Sequence, residues 1–328
     1  MTRRTVLSGI RATGRLHLGN YLGAVKGMLA LQDSNEYETF YMVADLHTIT
    51  VPYDAKKLPQ AVRDVVLDYL AAGLDPAKST IFIQSHVPQH SELANLFSTV
   101  VTVARMNHLP TYKEKIKQYP HNVTMALLNY PVLMAADILI YKADSVPVGI
   151  DQEPHLEVAR EIARKMNEKY GLNFPEPQRF ATKGEYVPSL TGTGKMSKSV
   201  EGSSILLTDD LETIQKRLAA VPTDVGKGAS VPAEGGVAAL LTFVELFQGE
   251  GKRKEYEEEY MVSGIKYKVL KDELAEAIYK ELEPLQKRRK AIEIDGNTVE
   301  KILKEGALRA RKEAQKTLQE VKLAMGLI

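Results

Sequence analysis

Two short stretches hold residue types suited to polyphosphate chemistry. The first, Ser8-Gly9-Ile10-Arg11-Ala12-Thr13-Gly14-Arg15-Leu16-His17-Leu18-Gly19-Asn20, joins a β-rich run to a segment with helical spacing. A helix that starts there offers unpaired N–H groups and a partial positive charge to a phosphate. Gly19 would let a ligand approach the backbone, and His17 and Asn20 add neutral donors; an ordinary tight turn also explains these residues. The second stretch, Gly194-Lys195-Met196-Ser197-Lys198-Ser199, sets two lysines among serines on a glycine-flanked loop. A P-loop fails on spacing, because Ser189 stands where its leading glycine belongs and Met196 where Ser or Thr should follow the lysine. A solvated loop is the plain competitor.

Two carboxylates complete the candidate chemistry. Asp137 lies in Leu128-Asn129-Tyr130-Pro131-Val132-Leu133-Met134-Ala135-Ala136-Asp137-Ile138-Leu139, where its neighbours are apolar on all sides. That pattern predicts a buried, partnered aspartate rather than a surface one. Asp151 follows Val146-Pro147-Val148-Gly149-Ile150 at a strand end and precedes Gln152. It fits an Asx turn or the cap of a helix over 153–170, and either is compatible with ligand binding.

The elements that must position these groups alternate in period. β-rich runs at Thr5–Ile10, Thr39–Ala44, Thr80–Gln84 and Ser145–Gly149 are separated by segments of helical spacing. Strand–helix–strand repetition predicts an α/β fold with a parallel sheet covered by helices on both sides, ligands binding at the carboxyl ends of its strands. From about Leu206 the strand signal fades and the second half reads as all-helical. The predicted division is an α/β domain over 1–190, a loop over 191–205 and a helical domain over 206–328, whose last helix is free to pack back on the first domain; the Gly/Thr/Lys/Ser stretch Pro188–Ser199 reads as mobile. In the helical half, Lys287-Arg288-Arg289-Lys290 is a candidate nucleic-acid contact or a solvated helix end.

Composition narrows the classes. With 44% apolar and 26% charged residues, the 328-residue chain can build a sizeable core, which excludes a disordered or collagenous chain. It holds no cysteine, which removes disulfides, thiolate metal sites, iron–sulfur clusters and cysteine nucleophiles. No apolar run is long enough for a membrane span and no signal-peptide core follows Arg3 and Arg4, so a cytoplasmic setting is expected. A net charge of +1 neither requires nor forbids a nucleic-acid partner.

His17-Leu18-Gly19-Asn20 and Lys195-Met196-Ser197-Lys198-Ser199 resemble the paired "HIGH" and "KMSKS" signatures of class I aminoacyl-tRNA synthetases. The second is a literal match; the first ends in Asn20 rather than His, a form common among the tryptophanyl enzymes. With the Asp137 segment and Val146–Gln152, the resemblance to bacterial tryptophanyl-tRNA synthetases runs over essentially the whole chain.

That resemblance implies a Rossmann-like catalytic domain and an anticodon-reading helical domain. It implies activation of L-tryptophan with ATP to tryptophanyl-adenylate and pyrophosphate, then transfer to tRNA(Trp), by a homodimer. Asp137 would accept the indole N–H, with Met134 against the ring. Ser8, Gly9, Ala44, His47 and Tyr130 would line the pocket, and Gln152 would hold the amino-acid head group. Gly149, Ile150 and Asp151 would bind adenosine, and Val187 would contact adenine. His17, Gly19, Asn20, Lys113, Lys195 and Lys198 would surround the triphosphate, with Arg11, Ala12, Thr13, Met196, Ser197 and Ser199 completing the nucleotide site. Mg²⁺ would arrive on the phosphates with no protein cage, and the iron–sulfur cluster of some relatives is ruled out here.

Arg11 and Ala12 stand where the family usually has Gln (or Arg) and Pro, so Arg11 is either a phosphate contact or a surface charge. The rivals are a tyrosyl enzyme, which shares the Gly-x-Asp-Gln turn, a binding paralogue that no longer charges tRNA, and a small nucleotidylyltransferase.

Overall fold

The computed structural model describes residues 3–181, 186–198 and 200–328. Five parallel strands form one sheet: β1 (Arg4–Arg11), β2 (Tyr37–Ala44), β3 (Thr80–Ile83), β4 (Ser145–Pro147) and β5 (Gln178–Phe180). They lie in the order β3-β2-β1-β4-β5. The order reverses at β1, which pairs in register with β2 from Arg4↔Tyr37 to Arg11↔Ala44 and with β4 through Val6↔Ser145. Open sheets of this type bind ligands at such a switch point, beyond the carboxyl ends of the strands. β5 carries no sequence signal: it is three residues long and ends a segment broken by Pro175 and Pro177.

The described chain divides into two compact units, each discontinuous in sequence. One comprises 1–14, 27–182 and 295–328; the other comprises 15–26 and 183–294. The sheet lies in the first, with the helices Leu58–Ala72, Gln89–Phe97, Pro110–Gln118, Met125–Leu139 and Glu153–Tyr170. The C-terminal helix Gly296–Ala324 also belongs to this unit. Its Gly306 lies so close to β3 that an added Cβ would stand 1.8 Å from the Ile81 carbonyl oxygen. Ala310, Ala314, Leu318 and Val321 continue that face into the sheet unit's core, and Arg309 donates to the Pro76 carbonyl at 2.8 Å. The small residues at helical spacing are thus the device that seats this helix on a strand.

The second unit holds the helices Leu211–Ala219, Gly236–Gln248, Glu250–Val262 and Tyr267–Ile294. Pro188 and Lys195 face each other across an antiparallel bridge, Ser189 N–H donates to Gly194 O at 2.9 Å, and Met196 N–H to Val187 O at 2.9 Å. Within the stretch expected as a mobile loop, residues 187–196 form a hydrogen-bonded hairpin, and Gly192 and Gly194 at its tip adopt positive φ. Among the described residues no helix is long and apolar enough to cross a membrane.

Candidate active site

In the sheet unit, Asp137 is fully buried on the helix Met125–Leu139, whose N-terminus is capped by Thr124 accepting from Leu127 N–H at 3.2 Å. Its carboxylate gathers donors from three separate elements. His47 Nε2, just beyond β2, meets Oδ2 at 2.7 Å; His90 Nδ1 meets Oδ1 at 2.6 Å; Gln84 Nε2, just beyond β3, reaches both oxygens at 2.8 and 3.0 Å. A carboxylate only accepts, so both imidazole nitrogens facing it carry protons. Burial alone would raise this carboxyl, but the hydrogen bonds and charges of His47 and His90 outweigh it and the net shift is downward. The expectation of a buried, partnered aspartate holds. Sequence reasoning missed His90, Gln84 and Tyr141. Tyr141 meets His90 Nε2 at 2.8 Å and stacks on Phe40 at 4.4 Å.

A second polar chain runs alongside. The Tyr130 ring meets His47 edge-on at 6.5 Å and His155 at 5.1 Å. Tyr130 Oη lies 2.8 Å from His155 Nε2, and His155 Nδ1 lies 2.9 Å from Gln152 Oε1. Gln152 Nε2 donates to Asp151 Oδ2 at 2.7 Å. Asp137, His47, Tyr130, Gln152 and Asp151 are thus joined by contacts, with Met134 partly buried on the Asp137 helix. Ser8 is buried on β1, its hydroxyl 3.4 Å from Pro147 O, and Gly9 beside it is exposed. Ala44 ends β2, buried. Asp151 is exposed in the turn Ile150–Gln152 after partly exposed Gly149, and the residue capping the next helix is Gln152 rather than Asp151.

Arg11 ends β1 with its Nε buried and without a hydrogen-bond partner among the described residues. Burial lowers its pKa, with Tyr119 and Tyr130 opposing. The cation beside it is Lys115, whose pKa is lowered by burial and then by Arg11, while Glu114 opposes. Lys113, the residue named from the sequence, is exposed. Two residues along the helix Pro110–Gln118 turn a side chain by about 200°, so Lys113 and Lys115 occupy opposite faces. Ala12 N–H is committed to Thr48 Oγ1 at 2.8 Å and Thr13 N–H to Arg11 O at 2.8 Å, so neither amide is open to a phosphate as it stands.

In the other unit, Leu18 N–H donates to Ile205 O and Leu207 N–H to Leu16 O, both at 2.9 Å. His17 is buried with Nδ1 unpartnered, and its pKa is depressed to about 4 by burial and then by the charges of Lys198 and Lys195. Asn20 Oδ1 accepts from His17 N–H at 3.2 Å, leaving the amide as the donor end. Lys198 Nζ donates to Arg15 O at 2.6 Å, Lys195 is exposed, and Met196 is buried beneath the hairpin. A Cβ at Gly19 would stand 2.8 Å from the His17 ring and 3.3 Å from Met196 Cβ. Protein packing by itself therefore favours glycine there. Val187 is fully enclosed and offers no surface to adenine as it stands. Ser197 N–H donates to Ser203 Oγ at 3.1 Å; Ser199 lies outside the described residues. No group of three His, Asp or Glu side chains able to hold a metal ion occurs among the described residues.

A model of the tRNA synthetases class I (W and Y) matches residues 2–283. The tryptophan--tRNA ligase of Treponema pallidum is 39% identical over 98% of this chain and 96% of its own. Among solved structures, the tryptophanyl-tRNA synthetase of Mycoplasma pneumoniae superposes with a TM-score of 0.87 at 32% identity, covering 100% of this chain and 99% of that one. The Campylobacter jejuni tryptophanyl-tRNA synthetase complexed with ADP and tryptophan gives 0.84 at 31%, covering 98% and 100%. With its parallel sheet, its paired signatures and likeness along its whole length, the chain belongs to the class I tRNA synthetases (W and Y).

Proposed function

We propose that the chain is a tryptophan–tRNA ligase, joining L-tryptophan to ATP as tryptophanyl-adenylate with release of pyrophosphate, then transferring tryptophan to tRNA(Trp). The observation that carries the substrate assignment is the buried Asp137 carboxylate. Indole is a donor-only group, and an acceptor left unpaired is costly, so such a site rejects side chains that cannot supply an N–H. Oδ1 accepts from Gln84 and fully buried His90, whereas Oδ2, shared with Gln84, also meets His47, whose side chain is 12% exposed. The indole N–H reaches Oδ2 by taking the place of the His47 donor. Met134 and Tyr130 flank the ring, Ser8, Gly9 and Ala44 line the pocket, and Gln152 takes the head group.

Activation is in-line attack of the tryptophan carboxylate oxygen on the α-phosphorus, breaking the bond to the β-phosphate. The chain supplies positioning and charge and needs no nucleophile. In the sheet unit, Arg11 and Lys115 are the cations for phosphate, both lacking an ion-paired carboxylate among the described residues; Asp151 takes the ribose hydroxyls. In the other unit, Lys195 and Lys198 carry the charge and His17, held neutral, offers its unpartnered nitrogen. Mg²⁺ enters with the phosphates, as an ion that keeps its own waters and needs few protein ligands. The helices of 206–294 read the anticodon. A homodimer and a cytoplasmic setting belong to the same reading, as the resemblance implies.

The test is charging of tRNA(Trp) and tRNA(Tyr) transcripts with each amino acid. Tryptophan on tRNA(Trp) alone is expected; tyrosine on tRNA(Tyr) would reassign the substrate. Adenylate formation without charging would leave the binding-paralogue reading standing.

A further inference from the structure

His155 belongs to no site expected from the sequence, yet it is 2% exposed and bonded at both ring nitrogens. The hydrogen-bond directions follow from its partners. Gln152 Nε2 donates to Asp151 Oδ2, which turns Gln152 Oε1 toward His155. A carbonyl oxygen only accepts, so His155 Nδ1 carries the proton. Burial, with a smaller contribution from His47, depresses the imidazole to about 4 against the opposing charge of Asp151, so at neutral pH Nε2 is a bare acceptor. Two hydroxyls stand at 2.8 Å from it, Tyr130 Oη and Thr111 Oγ1, themselves 3.0 Å apart. Whichever hydroxyl donates to Nε2, Tyr130 directs its proton into this network. Its oxygen is left with lone pairs only, as is the second lone pair of Gln152 Oε1.

We propose that His155 is a positioning residue that fixes Gln152 Oε1 and Tyr130 Oη as acceptors and so selects a substrate bearing an α-ammonium group. A neutral ring protonated at Nδ1 sets this polarity. A ring protonated at both nitrogens would reverse the Tyr130 hydroxyl and place a cation beside the ammonium. The inference rests on the tryptophan reading above and adds to it the residue that recognises the head group's charge rather than the indole.

The experiment compares binding of L-tryptophan with binding of indole-3-propionate, the same skeleton without the ammonium. The protein contains no tryptophan, so the ligand's own indole fluorescence reports both. His155→Phe keeps the ring volume and removes both polar atoms. It is expected to weaken tryptophan by about 10- to 100-fold, the usual worth of a hydrogen bond to a charged group. Indole-3-propionate should change by no more than about 2- to 3-fold, well below that hydrogen-bond effect. His155→Asn, which restores a donor near the Nδ1 position, should recover part of the tryptophan loss. Equal weakening of both ligands, or an unchanged preference for tryptophan, overturns the proposal. If His155→Phe does not fold, the Asn variant decides by the same comparison. Failure of the wild type to bind tryptophan at all would instead overturn the tryptophan reading, and this inference with it.

Discussion

The Asp137 cluster and the Lys195–Lys198 hairpin both handle charge, and they do so in opposite ways. Asp137 is sealed from water, and every lone pair facing a donor is fixed by His47, His90 or Gln84, each from a different element. On the hairpin, Lys195 is exposed and Lys198 donates to the Arg15 carbonyl, while the histidine beside them is held neutral. A group that must tell one side chain from another gains from dehydration and rigidity, because a mismatched partner then costs a full desolvation penalty. Groups that stabilise a leaving pyrophosphate need charge without a competing carboxylate. Selectivity and rate should therefore fail separately when the two regions are cut.

The largest effect is expected at Asp137. Asp137→Ala should lower tryptophan-dependent pyrophosphate exchange and erase a tryptophan-over-tyrosine preference of about 10⁴ to 10⁵. It also strands the donors of His47, His90 and Gln84, so unfolding free energy should fall by about 3–5 kcal/mol in urea titrations. An unchanged preference for tryptophan in this variant would sink the indole assignment.

Lys195→Ala should slow adenylate formation by about 10²- to 10³-fold in single-turnover measurements. Tryptophan affinity should hold, and stability should move by less than about 0.5 kcal/mol, as for other exposed positions. Equal loss of rate and of tryptophan binding would make Lys195 a ground-state binder and remove the contrast.

Acid should expose a third difference. His17 and His155 sit at about 4, depressed first by burial, against an unfolded value of 6.5. Between those pH values the unfolded chain binds more protons than the native one, so stability rises with pH across that window. It falls on acidification by up to roughly 3 kcal/mol per histidine, flattening below about 4. Asp137, shifted downward, adds a loss at lower pH as its carboxylate protonates. Urea titrations from pH 4 to 7 on the wild type and His155→Phe check this; a slope unaffected by the substitution would contradict it.

The smallest effect concerns tRNA. Lys287 pairs with Glu283 at 2.9 Å, whereas Arg289 is buried and bonded to Glu293. Replacing Lys287 and Lys290 with Gln should raise the tRNA KM by about 2- to 5-fold at moderate salt and flatten its salt dependence, with exchange unchanged. Loss of exchange would show that these lysines support the fold.

What the sequence revealed and what it hid divide along the range of the interactions involved. Four strands were legible from local β-rich runs, and the burial of Asp137 from its apolar neighbours. The short edge strand β5 had no periodic signal, and the partners of Asp137 lie 47 to 90 residues away, beyond any local pattern. Lys113 comes from the resemblance alone; Lys115, its near neighbour in sequence, faces the opposite way on the helix, which no local pattern of lysines discloses. Arg289 was readable in principle: Ile278, Leu282, Leu285 and Arg289 recur at spacings of four, three and four, the buried stripe of their helix. His155, three residues after Gln152, lies one helical turn on, a spacing that carries the head-group site into the helix.

The central claim is tested most directly by pyrophosphate exchange on the wild-type protein with each of the twenty amino acids in turn. Tryptophan should drive exchange, with tyrosine and phenylalanine lower by about 10⁴ or more, as for a site built around a required hydrogen bond. Exchange driven by tyrosine to a comparable rate, or by no amino acid, would contradict the account.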